Sequence, residues 1–262
     1  MADAALPFRL EGAHALISGA GGGIGRALIE RFRAAGATVS GTDRDLSLVS
    51  DLDLHSRFAC DLADPEAATR AIDEWLLSTT TPDIVVSNAG GSMAESFDDL
   101  TLELWEAELA LNLTGAFLLT SRLLPLMARR GSGALVCIAS VNGLAYFGNP
   151  GYTAAKAGLI AYARAAAVEH GRSGVRVNVV CPGSVRTPAW DHRFERDPDI
   201  AGKLLPHYPL GRLVTPDEVA NAAVFLASPA ASGTTGTVLE VDAGLTAGNL
   251  RFVDEIVRRA RS

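Results

Sequence analysis

The sequence predicts an α/β protein, a doubly wound parallel sheet of about seven strands with helices on both faces. Three observations carry this. Short, near-continuously apolar runs alternate with longer helical patterns, and strands without a polar face belong to sheets covered on both sides. Glycine, aspartate, asparagine or serine stands just past the end of run after run, where sheets of this kind bind ligands. A length of 262 residues with 48% hydrophobic content suffices for one such domain with a sizeable core.

His14–Ser18 is the first strand, ending in a glycine cluster, and a helix over 25–35 is closed by Gly36. Strands follow at 37–42 and 57–60, then a helix from Pro65 over 65–77 and a fourth strand at 83–87. A long helical stretch, 100–130, carries Pro125 near its last turns. A strand at 133–139, an Ala-rich helix at 152–171 and a strand at 176–181 come next. Pro216–Ala227 reads as a helix with Thr215 as N-cap and Pro216 at its first position, and 237–241 is the last strand. Residues 1–262 thus form one domain, with a core over about 10–244, a variable lid over about 189–210 and a tail, 245–262, holding a short helix at 252–260.

The chemistry begins after the first strand, at Gly19-Ala20-Gly21-Gly22-Gly23-Ile24-Gly25. Glycines between a strand and a helix let the backbone approach a pyrophosphate, which then sits on the helix N-terminus. The spacing differs from the literal Gly-x-Gly-x-x-Gly fingerprint, and a merely flexible turn is the other reading. After the second strand comes Asp43, eighteen residues past Gly25. A carboxylate there accepts hydrogen bonds from both adenosine ribose hydroxyls and repels a 2′-phosphate, which selects NAD over NADP. No Lys or Arg lies in the glycine loop to receive that phosphate, although Arg44 adjoins Asp43.

Asp61-Leu62 follows the third strand and Asn88-Ala89-Gly90-Gly91 the fourth, small residues where the chain must pass close to a ligand. Asn112 interrupts an apolar helix stretch, and a buried amide must find partners there. Ser140, past the fifth strand, can hydrogen-bond a substrate oxygen. Tyr152 and Lys156 stand four apart on one helix and share a face. A phenol near pKa 10 is too weak an acid to exchange protons efficiently at neutral pH, and a nearby ammonium favours its phenolate. The pair therefore reads as a general acid/base, or, taken alone, as a half-buried Tyr with a snorkelling Lys. Past the sixth strand, Pro182-Gly183-Ser184-Val185-Arg186-Thr187 can wall off a nicotinamide and bond its carboxamide.

In order and spacing these residues resemble the classical short-chain dehydrogenase/reductase family, from about Leu10 to Gly244. The resemblance implies a Rossmann-type fold with Tyr152 as proton donor and acceptor. Lys156 would lower the phenol's pKa and hold the nicotinamide ribose, Ser140 would polarise the substrate oxygen, and Asn112 would anchor a relay water. It also implies a homotetramer built on the helices at 100–130 and 152–171, whose small residues include Ala154, Ala155, Ala157, Ala161, Ala165, Ala166 and Ala167. Ser18 replaces the family's usual Thr, Ser87 stands where Asn is frequent, and Asp242-Ala243-Gly244 replaces Asp-Gly-Gly. The expected dinucleotide site is Gly19, Gly22, Gly23, Ile24, Asp43, Asp61, Leu62, Asn88, Ala89, Gly90, Tyr152, Lys156, Pro182, Gly183, Val185 and Thr187. On the substrate side stand Ser140, Asn142, Tyr152, Ser184 and Trp190, with lid cations such as Arg193 and Lys203 able to meet an anionic substrate.

The expected reaction is hydride transfer between a secondary alcohol or ketone and NAD. An NADPH-dependent ketoacyl or carbonyl reductase would want a basic residue in the glycine loop and no acid at position 43. A non-catalytic dinucleotide sensor would be expected to lack Tyr152, Lys156 or Ser140. The net charge of −7 and the absence of a Lys/Arg-dense run argue against nucleic acid. Cys60, Cys137 and Cys181 lie far apart, and the five histidines show no ligand spacing, so neither disulfides nor a metal are expected. Residues 1–12 carry no signal-peptide core and no run of about 18 apolar residues is expected to span a membrane, so a cytoplasmic location is expected.

Overall fold

In the computed structural model, which describes residues 8–197 and 199–258, both faces of the central strands are buried. The elements are β1 (His14–Ser18), α1 (Gly23–Ala34), β2 (Thr38–Asp43), β3 (Arg57–Ala59), α2 (Pro65–Ser78), β4 (Ile84–Ser87), α3 (Leu102–Leu109) and α4 (Gly115–Arg130). They continue with β5 (Gly133–Ile138), α5 (Pro150–His170), β6 (Val175–Pro182), α6 (Pro188–Arg196), α7 (Ile200–Leu204), α8 (Pro216–Ala227), β7 (Val238–Val241) and α9 (Leu250–Phe252). All seven strands are parallel, in the order β3-β2-β1-β4-β5-β6-β7. The order reverses between β1 and β4, and the crevice at that reversal is where such sheets take ligands.

Successive side chains of a strand point to opposite faces. Ala15 and Ile17 of β1 enter the core shared with α1 and α8, while Leu16 enters the core shared with α2, α4 and α5. The same division holds for Val136 and Cys137 of β5. Two apolar environments explain the unbroken hydrophobic runs. α8 begins as expected: the Thr215 hydroxyl accepts from Glu218 N–H and the Glu218 carboxylate accepts from Thr215 N–H, a reciprocal cap.

Three expectations need correction. The helix expected over 100–130 is interrupted by a π turn at Ala110–Thr114, where Gly115 N–H reaches Ala110 O. The turn inserts one residue into a stretch that keeps a helical composition on both sides, so composition did not reveal it. Leu102–Arg130 also contains an 18-residue window of mean hydropathy 1.4, long and apolar enough by length and composition to cross a membrane. Polar Thr120 and Ser121 break the consecutive run but scarcely lower the average. In the fold this stretch lies on the sheet through Leu119, Leu123 and Met127, with 39% of the window buried. Of the alanines expected to face a partner, Ala155, Ala166 and Ala167 are instead buried in the α5 core, whereas Ala157, Ala161 and Ala165 point outward.

The tail helix starts earlier than expected, as α9 and a following π turn at Val253–Arg258. Residues 259 and 260 of that expectation, and most of the N-terminal segment 1–12, lie outside the described residues.

At the opposite end of the sheet from the crevice, His14 is nearly buried. Its Nε2 is 2.8 Å from Ser40 Oγ, which is 2.8 Å from Ser56 Oγ, and Trp75 Nε1 donates to Ser56 at 3.0 Å. Burial first, and His55 second, push His14 below its ordinary value of 6.5, against the pull of Asp83. The unfolded chain then binds the proton more tightly than the folded one. This stabilising contribution is therefore full above pH 6.5 and lost as pH falls through the lowered folded value. We predict that wild-type Tm declines between pH 7.5 and 5.5 and that His14→Gln flattens the decline. An equally steep decline in the variant would remove His14 as its source.

Candidate active site

The glycine loop closes on itself. Gly19 has φ +62, a left-handed conformation, and Gly25 at the start of α1 lies against the Gly19 carbonyl. A Cβ on Gly25 would sit 2.1 Å from Gly19 O, so the helix begins hard against the turn. α1 has Gly22 as N-cap, with no side chain capping its first N–H groups. Such free donors at a helix start suit an anion. Gly21 N–H donates to Asp43 Oδ2 at 3.0 Å, which joins the carboxylate after β2 to the loop. Arg26 is held by Gly21 O, Leu48 O and Asp51, so its charge is turned toward Asp51.

Beside the loop, the Ser18 hydroxyl accepts from Asn88 N–H and Ala89 N–H at 3.1 and 3.2 Å, and Asn88 Nδ2 donates to Ser18 O and Gly19 O. These bonds lash the ends of β1 and β4 together across the crevice. The hydroxyl kept at position 18 makes two of them, and backbone carbonyls accept the other two. From the far side, Thr187 reaches over the loop: a Cβ on Gly23 would meet Thr187 Cγ2 at 2.9 Å.

The result is a groove of about 560 Å³ lined by Gly19, Gly22, Gly23, Ile24, Asp43, Asp61, Leu62, Asn88, Ala89, Gly90 and Thr187 among others. It is continuous through Ile24, Asn88 and Gly90 with a smaller cavity of about 100 Å³ bounded by Ser140, Tyr152, Lys156 and Pro182. Three of the expected residues stand behind these walls. Asn112 is buried in the π turn, Val185 is buried and pairs with Val214, and Gly183 lies against Asp242.

At the inner end, Ser140 and Tyr152 line one cavity, where the Ser140 hydroxyl favours the phenolate. Lys156 is buried, donates to Ile138 O at 3.0 Å and stands 5.4 Å from the centre of the Tyr152 ring. Burial pushes the Tyr152 phenol up to about 12; the Ser140 hydroxyl opposes the rise and the Cys181 and Glu108 charges add to it. Burial also pushes Lys156 down to about 8. The expected lowering of the Tyr152 pKa is thus reversed in the protein by itself: desolvation of the phenolate outweighs the opposing pull of the Ser140 hydroxyl.

Asn112 Oδ1 accepts from Gly91 N–H, while Nδ2 donates to Gly91 O and Glu108 O. One amide hydrogen thus pins the loop after β4, and the other is used one turn back in its own helix. On the substrate side, Asn142 Nδ2 is spent on Gly148 O and Thr153 Oγ1, and Ser184 lines neither the groove nor the inner cavity. Trp190 stands against Phe194 and under Arg193, packed on the α1–α8 core, away from the catalytic cavity. A separate volume of about 770 Å³ lies between the tail and the loop after Ser140, bordered by Leu144, Phe147, His207 and Phe252, and shares no lining residue with the catalytic cavity. Sequence reasoning did not single out Ser18 as a latch, nor Glu108, although a charged residue four before Asn112 in an apolar stretch was visible.

A strand-end groove with a glycine turn at one end and a buried Ser140–Tyr152–Lys156 cluster at the other fits a class of doubly wound oxidoreductases working with a nicotinamide dinucleotide. The cradle fits such a group, since side chains at Gly21, Gly23 or Gly90 would collide with the walls that shape it. A family model described as enoyl-(acyl carrier protein) reductase matches residues 19–246. D-threitol dehydrogenase of Mycolicibacterium smegmatis is 36% identical over 252 residues, covering 91% of this chain and 95% of that protein. A crystal structure of an oxidoreductase of the short-chain dehydrogenase/reductase family from Burkholderia thailandensis matches with TM-score 0.88 and 42% identity, over 94% of this chain and 97% of that one. A gluconate 5-dehydrogenase from Burkholderia cenocepacia, solved with NADP and tartrate, matches with TM-score 0.86 and 30% identity over 94% and 99%. The chain belongs to the short-chain dehydrogenase/reductase family, whose oxidoreductases act on alcohol and ketone substrates.

Proposed function

We propose that the protein interconverts a secondary alcohol and its ketone with NAD(H), Tyr152 serving as general acid/base. The carrying observation is the convergence of Ser140, Tyr152 and buried Lys156 on one cavity at the inner end of the groove. The bound dinucleotide supplies the hydride acceptor or donor and, when oxidised, a positive ring. In alcohol oxidation the Tyr152 phenolate takes the hydroxyl proton as the C–H bond gives up its hydride, leaving the ketone. Ser140 holds the substrate oxygen, and Lys156 favours the phenolate while charged. In reduction Tyr152 returns the proton, a task for which a raised pKa suits it.

NAD is favoured over NADP because Asp43 points into the groove from the end of β2 and is tied to the glycine loop. A 2′-phosphate would meet that carboxylate with Arg44 as its one cationic neighbour along the chain. The gluconate 5-dehydrogenase solved with NADP makes this a point to measure. Titration by NADH and NADPH fluorescence is expected to give tighter NADH binding, and Asp43→Ser to narrow or invert the ratio. Tighter NADPH binding by the wild type would favour the reductase reading instead.

A small polyhydroxylated alcohol is the proposed substrate class, on the strength of the D-threitol and gluconate relatives. Rates with a panel of polyols and sugar acids, followed at the NADH absorbance, test it. A homotetramer in the cytoplasm completes the proposal, supported by the outward row Ala157, Ala161 and Ala165 on α5. Light scattering of the purified protein checks the assembly.

A further inference from the structure

One ionisable side chain beside the site has no assigned part in it. Glu108, in the last turn of α3, is fully buried and sits one helical turn before Asn112, on the same face. Both side chains hold the loop after β4. Asn112 takes Gly91, and Glu108 Oε1 accepts from Met93 N–H at 2.6 Å and Ala94 N–H at 3.3 Å. The other oxygen, Oε2, is enclosed and has no hydrogen-bond partner among the described residues. It faces Gly151, the residue before Tyr152: a Cβ there would lie 2.2 Å from it. The same corner is tied from the other side by Asn149, whose N–H and side-chain amide donate to Glu95 O and Ala94 O at 2.9 and 2.8 Å.

A buried carboxylate oxygen without a donor is unfavourable unless something offsets it. The start of α5 can do so, because the N-terminal end of a 21-residue helix favours an anion. Pro150 at the first position has no N–H, and Asn149 supplies no side-chain cap. Glu108 therefore stands where a capping carboxylate would, but comes from another helix.

We propose that Glu108 is a positioning residue for the reaction: pressed between the loop after β4 and Gly151, it fixes where the catalytic helix starts and so where the Tyr152 hydroxyl stands. This rests on the reading of Tyr152 as acid/base. The groups facing the phenol are Lys156 on its own helix, the Cys181 thiol from β6, Glu108 from α3 and the Ser140 hydroxyl.

Four variants of the full chain test the proposal: Glu108→Gln, Glu108→Ala, Gly151→Ala and the Glu108→Ala/Gly151→Ala pair. Glu108→Gln keeps an oxygen for Met93 and Ala94 but removes the charge opposing the phenolate. Its pH profile of kcat/KM for alcohol oxidation is expected to move to lower pH. Glu108→Ala should lose about tenfold or more in kcat with dinucleotide Kd held within about twofold, because a small misplacement of a reacting group is costly. Gly151→Ala should lose similarly by itself, yet add less than about twofold in the Glu108→Ala background, the sign of a shared contact.

A Glu108→Gln profile superimposed on the wild type, or losses that simply multiply in the pair, would overturn the proposal. So would a Glu108→Ala protein that is less heat-stable but unchanged in kcat and KM. If Glu108→Ala does not fold, the Glu108→Gln profile and Gly151→Ala decide. A fully active Tyr152→Phe would bring down the acid/base reading itself. An inactive Tyr152→Phe beside unaltered Glu108 and Gly151 variants brings down only the positioning role.

Discussion

Tyr152→Phe is expected to lower turnover by about two to four decades, the usual worth of a positioned general acid/base. Dinucleotide affinity should hardly change, since the ring remains and only the hydroxyl is lost. In the wild type the phenol, pushed up to about 12, is protonated at neutral pH, so alcohol oxidation should accelerate as pH rises and the phenolate fraction grows. The variant should lack that rise. Steady-state rates between pH 7 and 10, set beside NADH titration, read both effects. A variant within a few-fold of wild type, with the rise intact, would exclude Tyr152 as the base and turn attention to Lys156, which burial brings down to about 8.

The second large effect is expected at Gly25→Ala. The added Cβ would lie 2.1 Å from Gly19 O and 2.8 Å from Ala20 O and Cα, all backbone atoms that no side-chain rotation can move. Either the glycine turn opens or α1 shifts, and overpacking of this kind costs about 1–3 kcal/mol. If that strain falls on the bound state, dinucleotide Kd rises by about ten- to a hundredfold. Gly91→Ala is the control, because a Cβ there meets nothing within 4 Å. Fluorescence titration and thermal melts of the two variants check it. Equal Kd and Tm for both would mean that the turn is looser than its contacts imply.

Much of the fold was legible because its signals are local. Unbroken apolar runs reported strands buried on both faces, and Thr215 and Pro216 announced α8 from within its first turn. Most residues that line the groove were legible for a related reason: the sheet places every strand end on one rim, so position after a strand is nearly position on that rim. On the substrate side, Ser140 and Tyr152 do line the inner cavity, whereas Asn142 does not. Its polar side chain suits a pocket wall, yet the structure spends its amide on Gly148 and Thr153.

Position 243 shows the same limit. The departure from Asp-Gly-Gly looked minor, but Ala243 has φ +55, a conformation unfavourable for a residue with a Cβ. Its neighbour Asp242 accepts from Gly244 N–H, Thr246 N–H and the Thr246 hydroxyl, and so braces the turn.

The sequence by itself determined the seven-stranded doubly wound scaffold, the family and the set of residues at the strand ends, because periodicity and spacing are properties of the chain. Tertiary structure alone decided the proton affinities of Tyr152 and Lys156, the π turn that carries Asn112, and the meeting of Glu108 with Gly151. Those depend on burial and on contacts between segments far apart along the chain, and desolvation has no signature in the order of residues.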